Sequence, residues 1–309
     1  MTRVAAVDCG TNSIRLLVAD ADPATGELTD LERRMEIVRL GQGVDRTGRL
    51  APEALERTFA ACRDYARSVA ELGARSVRFV ATSASRDAEN RDEFVRGVVG
   101  ILGTEPEVIT GDEEAQLSFT GATRELAGRR DLETPYLVVD IGGGSTEFVV
   151  GDGSVRAARS VDIGCVRLTE RHGLSGGPVT AAQHEAMRAD VAAALDEVER
   201  TVPLAEARTL VGLAGTVTTL AGISLGLDAY DGAAIHHSRL GREETAAIVE
   251  RLLASAHDER AAIPVMHPGR VDVITAGAVI LLAIMERTGA REVVVSEHDI
   301  LDGIAWSLT

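Results

Sequence analysis

The chain has 309 residues, enough for two domains of ordinary size, each with its own core. Its formal charge of −16 argues against general nucleic-acid binding, which needs a basic face. All 32 basic side chains are arginine, so a Walker P-loop, Schiff-base catalysis and Ser-Lys catalysis are excluded, because each needs a lysine.

In chain order, Val4–Val7 reads as a strand. No charged-then-apolar leader precedes it, so a cytoplasmic location is expected. A tight polar turn from Asp8 to Ser13 leads into a second strand, Ile14–Ala19. Residues 51–72 form a helix with Pro52 in its first turn, Gly73 as its stop, and a stripe of Leu55, Phe59, Cys62, Ala66 and Val69. Val77–Ala81 is a short strand. The polar segment Ala127–Thr134 is the expected domain boundary, dividing a first domain, 1–126, from a second, 127–309. Tyr136–Asp140 and Thr146–Val150 are strands around a glycine turn. Residues 180–199 open with the capping-box pattern Thr180-x-x-Gln183. Thr209–Leu213 and Glu292–Ser296 are strands, and the apolar run Val273–Met285 is too short to span a bilayer and reads as a buried helix. Strands mixed with helices give an α/β protein. Three widely spaced cysteines, with no C-x-x-C pair, predict reduced core thiols, with neither zinc nor disulfides.

The two turns are related. Aligning Asp8 with Asp140 also aligns Gly10 with Gly142 and Ser13 with Ser145 without a gap, so both hairpins share D-x-G-x-x-S. Such a repeat between apolar strands points to a duplicated fold. In the second hairpin, Gly142, Gly143 and Gly144 let backbone N–H groups approach an anion, and Ser145 and Thr146 add hydroxyls. Asp140 and Glu147 flank this turn at one mouth, a carboxylate pair suited to Mg2+ held largely through waters. The alternative is a structural glycine turn with two solvated acids. In the first hairpin, Asn12 and Ser13 are candidate phosphate donors and Asp8 a candidate metal ligand; alone, it reads as an Asx-type turn.

Three further stretches are weaker. Glu113 and Glu114, after Gly111, read on spacing alone as the charged first turn of a helix. Thr82–Asp87, with Arg86, follows a strand and so sits on the usual ligand side of an α/β sheet. Gly212–Thr219 is a glycine turn opening a helix, evenly balanced between packing and anion binding. His236-His237 and Glu297-His298-Asp299 contain metal-ligand types, but no spaced partner completes either set, so they read as solvated or hydrogen-bonding residues.

Together, Asp8–Ser13, Ala81–Asn90, Gly111–Ala115 and Asp140–Glu147, followed by Asp162–Arg167, Gly212–Val217 and Arg270–Gly277, resemble the exopolyphosphatase/guanosine pentaphosphate phosphatase family, in order and along essentially the whole chain. The resemblance implies an actin-like, sugar-kinase-like, heat-shock-ATPase-like duplicated fold, with two domains and a phosphate cleft between them. The last helix would pack back on the first domain. It further implies release of terminal orthophosphate from inorganic polyphosphate. Glu114 matches the base that activates water, and Asp140 and Glu147 match the metal- and water-binding acids. Gly142, Gly143, Gly144 and Ser145 match the second phosphate loop, Asn12 and Ser13 fall in the first, and Arg86 matches a phosphate-touching arginine. Mg2+ is the implied cofactor, with K+ as a candidate activating cation and a homodimer as a candidate assembly. Neither nucleic acid nor membrane is an expected partner. Longer members carry further C-terminal domains that this chain lacks, which counts against processive hydrolysis of very long chains. Guanosine pentaphosphate is the alternative substrate, although the low aromatic content offers no obvious base-stacking platform. An actin-like ATP-binding protein or a sugar kinase is the more distant alternative. Arg15, Arg39, Arg86, Arg167 and Arg270 are the candidates for a local positive field in an otherwise acidic chain.

Overall fold

Side-chain alternation makes the first sheet apolar on both faces. In β1 (Thr2–Cys9), Ala5, Val7 and Cys9 enter one core while Val4 and Ala6 enter another, as a two-residue pleat requires. The structure, a computed structural model, describes all residues except 25–26, 127–128 and 175. β2 (Ser13–Asp22) runs antiparallel to β1, and β3 (Glu27–Ile37) runs antiparallel to β2. β4 (Ser76–Ala81) and β5 (Glu107–Val108) add parallel strands on the other side, in the order β3-β2-β1-β4-β5.

The chain divides into two compact units. The first comprises Met1–Gly121 with Ile300–Thr309, and the second Ala122–Asp299. The division falls within the helix Gly111–Thr123, ahead of the expected 126/127 boundary. Of the boundary segment Ala127–Thr134, Ala127 and Gly128 lie outside the described residues, and the remainder belongs to the second unit.

In the first unit, helices Pro52–Leu72 and Arg91–Leu102 bring Leu55, Cys62, Tyr65, Val69, Phe94 and Val98 onto one face of the sheet. The buried Tyr65 hydroxyl donates to the Ile14 carbonyl at 3.0 Å, satisfying a polar group that burial would otherwise penalise. The helix Ile300–Trp306 supplies Ile300, Leu301, Ile304 and Ala305 to the other face, beside Leu117. Arg33 of β3 ties this helix down by donating to Asp302 Oδ1 at 2.5 Å; the Asp302 carboxylate is only 2% exposed.

The second unit repeats the plan. β6 (Tyr136–Ile141), β7 (Thr146–Gly151) and β8 (Val155–Val161) form antiparallel neighbours, and β9 (Thr209–Leu213) joins β6 in parallel. β11 (Glu292–Val295) is parallel to β9, and β10 (Arg239–Gly241) closes the edge antiparallel to it, giving β10-β11-β9-β6-β7-β8. Read from β8, the first five strands repeat the order and directions of β3-β2-β1-β4-β5. This repeat is the duplication that the paired hairpins imply; its actin-like form is what the family resemblance implies. Helix Ala181–Glu199 realises its capping box: Gln183 N–H donates to Thr180 Oγ1 at 3.2 Å, and Thr180 N–H to Gln183 Oε1 at 3.0 Å. The run expected to be a buried helix is the helix Ile274–Thr288. Cys9, Cys62 and Cys165 are free and buried. Among the described residues, no helix is long and apolar enough to cross a membrane.

Candidate functional site

The first hairpin turn is closed by a bond from Gly10 N–H to the Ser13 carbonyl at 2.9 Å. The segment after β3 wraps it: Val38 and Arg39 N–H donate to the Asn12 carbonyl at 3.1 and 2.8 Å, and Gly41 N–H to the Thr11 carbonyl at 2.8 Å. Thr11 Oγ1 lies 2.8 Å from Ser83 Oγ, joining this turn to the start of the helix Ser83–Asp87. Asn12 Oδ1 is shielded from solvent and has no hydrogen-bond partner among the described residues, an orphan acceptor of the kind that a bound ligand or water satisfies. Asp8, expected as a metal ligand, sits opposite Arg15 across the β1/β2 ladder. Arg15 donates through Nη2 at 2.7 Å and Nε at 3.0 Å, both to Asp8 Oδ2, so this carboxylate already faces a cation.

At the carboxyl ends of β4 and β5, Arg86 and Glu114 meet. Three acids occupy the first turn of the helix Gly111–Thr123, and helical phase separates them. Asp112 and Glu113 are exposed, and Glu113 pairs with Arg78 at 2.8 Å, whereas Glu114 is 8% exposed. Thr110 Oγ1 accepts from Glu113 N–H at 3.2 Å, capping this turn, whose positive dipole end favours carboxylates. Arg86 Nη1 donates to Glu114 Oε2 at 3.1 Å and to the Ile109 carbonyl at 3.0 Å.

The second hairpin closes with the same bond as the first, Gly142 N–H to the Ser145 carbonyl at 3.1 Å. Its glycine carbonyls are all engaged from below. Cys165 N–H reaches Gly142 O at 3.0 Å, Val166 and Arg167 N–H reach Gly143 O at 2.9 and 3.1 Å, and Arg167 Nε reaches Gly144 O at 2.7 Å. With those carbonyls anchored to the start of the helix Cys165–Arg171, the Gly143 and Gly144 amides donate to no protein acceptor among the described residues, as an anion-binding nest requires.

Asp140 and Glu147 are directly opposed in the β6/β7 ladder and are 7% and 1% exposed. Like charges directly opposite destabilise a sheet, and two buried carboxylates are a hard oxygen donor pair, so these residues fit Mg2+. Glu147 Oε1 accepts from Ser160 Oγ at 2.7 Å, which fixes its orientation. In the Gly212–Thr219 segment, Ala214 opens the helix Ala214–Ser224 in a left-handed conformation (φ 65). The Arg270 guanidinium lies across Gly215, 2.3 Å from where a Cβ would stand.

The two histidine-containing pieces find a partner that their spacing did not reveal. His236 Nε2 and His298 Nδ1 each lie 3.1 Å from Glu125 Oε2, and the three residues form a cluster of metal-ligand type. The expectation that nothing completes these sets is therefore corrected. The tautomer nevertheless argues for hydrogen bonding. Glu297 N–H donates to His236 Nδ1 at 3.1 Å, so the neutral ring carries its proton on Nε2 and donates it to Glu125. The two imidazoles hold the Glu125 carboxyl well below its ordinary range. His237, stacked on His236 with ring centroids 3.7 Å apart, is pushed down to about 4 by burial, with His236 adding to the effect.

The chain is 52% identical over 319 residues to exopolyphosphatase 2 of Mycobacterium tuberculosis, covering 100% of this chain and 99% of that protein. It is 29% identical to the guanosine-5'-triphosphate,3'-diphosphate pyrophosphatase of Aeromonas hydrophila, covering 98% of this chain but 59% of that one. Among solved structures, an exopolyphosphatase-like protein matches at 44% identity and a TM-score of 0.94, covering 99% of this chain and 98% of the other. A Ppx/GppA family member from Aquifex aeolicus matches at 30% identity and a TM-score of 0.79, covering 99% and 97%. The model of the Ppx/GppA phosphatase family itself matches residues 17–309, and the chain belongs to that family.

Proposed function

We propose that the protein is an exopolyphosphatase, releasing terminal orthophosphate from inorganic polyphosphate by attack of a water that Glu114 orients and deprotonates. The observation that carries this reading is the inward turn of Glu114 alone among three acids on one helical turn, held there by Arg86. The 52% identity to an exopolyphosphatase along the full chain supports polyphosphate as the substrate.

Phosphoryl transfer asks a protein mainly for positioning and charge stabilisation. In this assignment Glu114 is the base, Arg86 a phosphate ligand, and Asn12 and Ser13 further polar contacts. The Gly142–Ser145 amides are the proposed phosphate cradle, and Asp140 and Glu147 the proposed metal ligands. Bound Mg2+ would contribute Lewis-acid neutralisation of the phosphate charge. Asp8 contributes less to metal binding, because Arg15 already neutralises it. A cytoplasmic setting is consistent with the three free thiols.

The decisive assay measures phosphate release from polyphosphates of defined length and from guanosine pentaphosphate, with and without Mg2+, for the wild type and Glu114→Ala. Loss of the base should lower turnover by ~10²–10⁴-fold with the fold retained. Preferential turnover of the nucleotide would move the assignment to guanosine pentaphosphate, the chemistry named in the Aeromonas relative. Full turnover by Glu114→Ala would discard the mechanism.

A further inference from the structure

We propose that Arg86 is a positioning residue as well as a phosphate ligand: one edge of its guanidinium fixes the Glu114 carboxylate while the other grips the phosphoryl group under attack. The inference rests on the assignment of Glu114 as base.

The argument starts from the donor count. A guanidinium carries five N–H donors in a rigid plane. Arg86 spends Nη1 on two acceptors, Glu114 Oε2 at 3.1 Å and the Ile109 carbonyl at 3.0 Å. Two bonds from one nitrogen, one to a main-chain oxygen and one to a carboxylate, fix the plane of the group. Nε and Nη2 donate to no acceptor among the described residues, although the side chain is only 25% exposed. These two nitrogens form the parallel fork that matches two oxygens of a phosphate.

Topology explains why the pair can be rigid. β4 and β5 are adjacent parallel strands in register at Ala81↔Val108. Arg86 lies in the last turn of the helix that follows β4, and Glu114 in the first turn of the helix that follows β5. The Ile109 carbonyl lies between β5 and that second helix, so Arg86 is pinned to the backbone leading into the base it holds. A guanidinium that touches both base and phosphate sets their separation without a moving part. Lysine cannot replace it, because an ammonium has neither a fork nor a fixed plane.

A purely structural arginine, tying two helices together, makes different predictions. The variants Arg86→Ala, Arg86→Lys, Glu114→Ala and the double variant Arg86→Ala/Glu114→Ala would be compared for kcat and KM on tripolyphosphate. Tripolyphosphate binding would be measured by calorimetry in the non-hydrolysing Glu114→Gln background, with and without Arg86→Ala. Urea unfolding controls for folding. If Arg86 acts through Glu114, Arg86→Lys loses about 10²-fold in kcat, the scale of a misplacement near 1 Å, with a smaller change in KM. The double variant then loses less in kcat than the product of the two single losses. If the fork grips phosphate, Arg86→Ala weakens binding about 10-fold or more in the Glu114→Gln background. Wild-type kcat in Arg86→Lys, multiplicative losses in the double variant, or unchanged tripolyphosphate binding would each overturn the coupling while leaving the hydrolase reading intact. Turnover retained by Glu114→Ala would instead remove the base assignment, and this inference with it.

Discussion

Gly164→Ala is the most direct test of the glycine cradle, because it adds one methyl group under the loop and removes nothing. A Cβ at Gly164 would stand 2.4 Å from both the carbonyl carbon and the oxygen of Gly143, and 2.6 Å from Gly144 N. Relaxed carbon contacts need about 3.5 Å, so the loop or the helix Cys165–Arg171 must retreat by roughly 1 Å. No flexible side chain can absorb the shift, since the three nearest atoms are all backbone, and the Gly143 carbonyl among them is one that anchors the loop, at 2.9 and 3.1 Å. Overpacking of this kind costs about 1–3 kcal/mol of stability. A displacement near 1 Å in a positioned phosphate site costs about 10²-fold in turnover. Urea unfolding and phosphate release on polyphosphate would be measured side by side. Gly100→Ala is the control: nothing lies within 4 Å of a Cβ there, and the exposed helical position should gain up to about 1 kcal/mol from the better helix former. Wild-type turnover in a folded Gly164→Ala protein would refute the role given to the loop.

Three other outcomes are expected. Asp140→Asn and Glu147→Gln should each raise the Mg2+ concentration for half-maximal turnover by roughly tenfold or more, with little change in unfolding; unaltered Mg2+ titrations would remove both from the metal site. Arg33→Ala leaves the buried Asp302 carboxylate without the guanidinium it now accepts from, and should destabilise the fold by on the order of 3 kcal/mol, read as a lower urea midpoint. His237 titrates near 6.5 when unfolded but about 4 in the fold, so the unfolded chain binds the extra proton between those values. Its contribution to stability is complete above pH 6.5 and drains away as pH falls towards 4. The depressed Glu125 carboxyl has the same sign below its ordinary 4.5. The urea midpoint should therefore drop on acidification through that window, and His237→Gln should shallow the drop; an identical slope in the variant would refute the assignment.

What the sequence discloses depends on the range over which each feature is encoded. Both hairpins, the capping box at Thr180 and the helix Pro52–Leu72 are written in neighbouring residues, so local pattern is enough to read them. β3 is not: Glu27–Ile37 is a charged edge strand whose sequence lacks apolar alternation, because edge strands carry charge to discourage pairing with other chains. The histidine cluster escapes for a different reason, since Glu125 and His236 are 111 residues apart and only the fold brings them together. Glu113 and Glu114 look equivalent on spacing. The 100° step of a helix decides between them, and the direction of the core, which sets the phase, is a tertiary fact. The engagement of Asp8 by Arg15 was within reach of local reasoning, because a hairpin closed by Gly10 and Ser13 places residues 8 and 15 face to face.

That last register carries the comparison between the two halves further. The alignment that matches Asp8 to Asp140 also matches Arg15 to Glu147, so one backbone slot, opposite the aspartate, holds a cation in one hairpin and an anion in the other. The turn bonds are the same in both, 2.9 and 3.1 Å, so the backbone has been kept while the charge has been inverted. The consequence is a difference in charge: the first aspartate faces a guanidinium of the protein, while the second shares its ladder position with another carboxylate, the pair proposed above to hold a divalent cation. Arg15→Glu should therefore give the first hairpin the electrostatics of the second. If charge rather than backbone sets the difference, that variant binds an additional Mn2+, countable by calorimetry or paramagnetic titration, whereas Arg15→Ala does not. Equal Mn2+ stoichiometry in Arg15→Glu and the wild type would mean that the hairpins differ by more than this one pair.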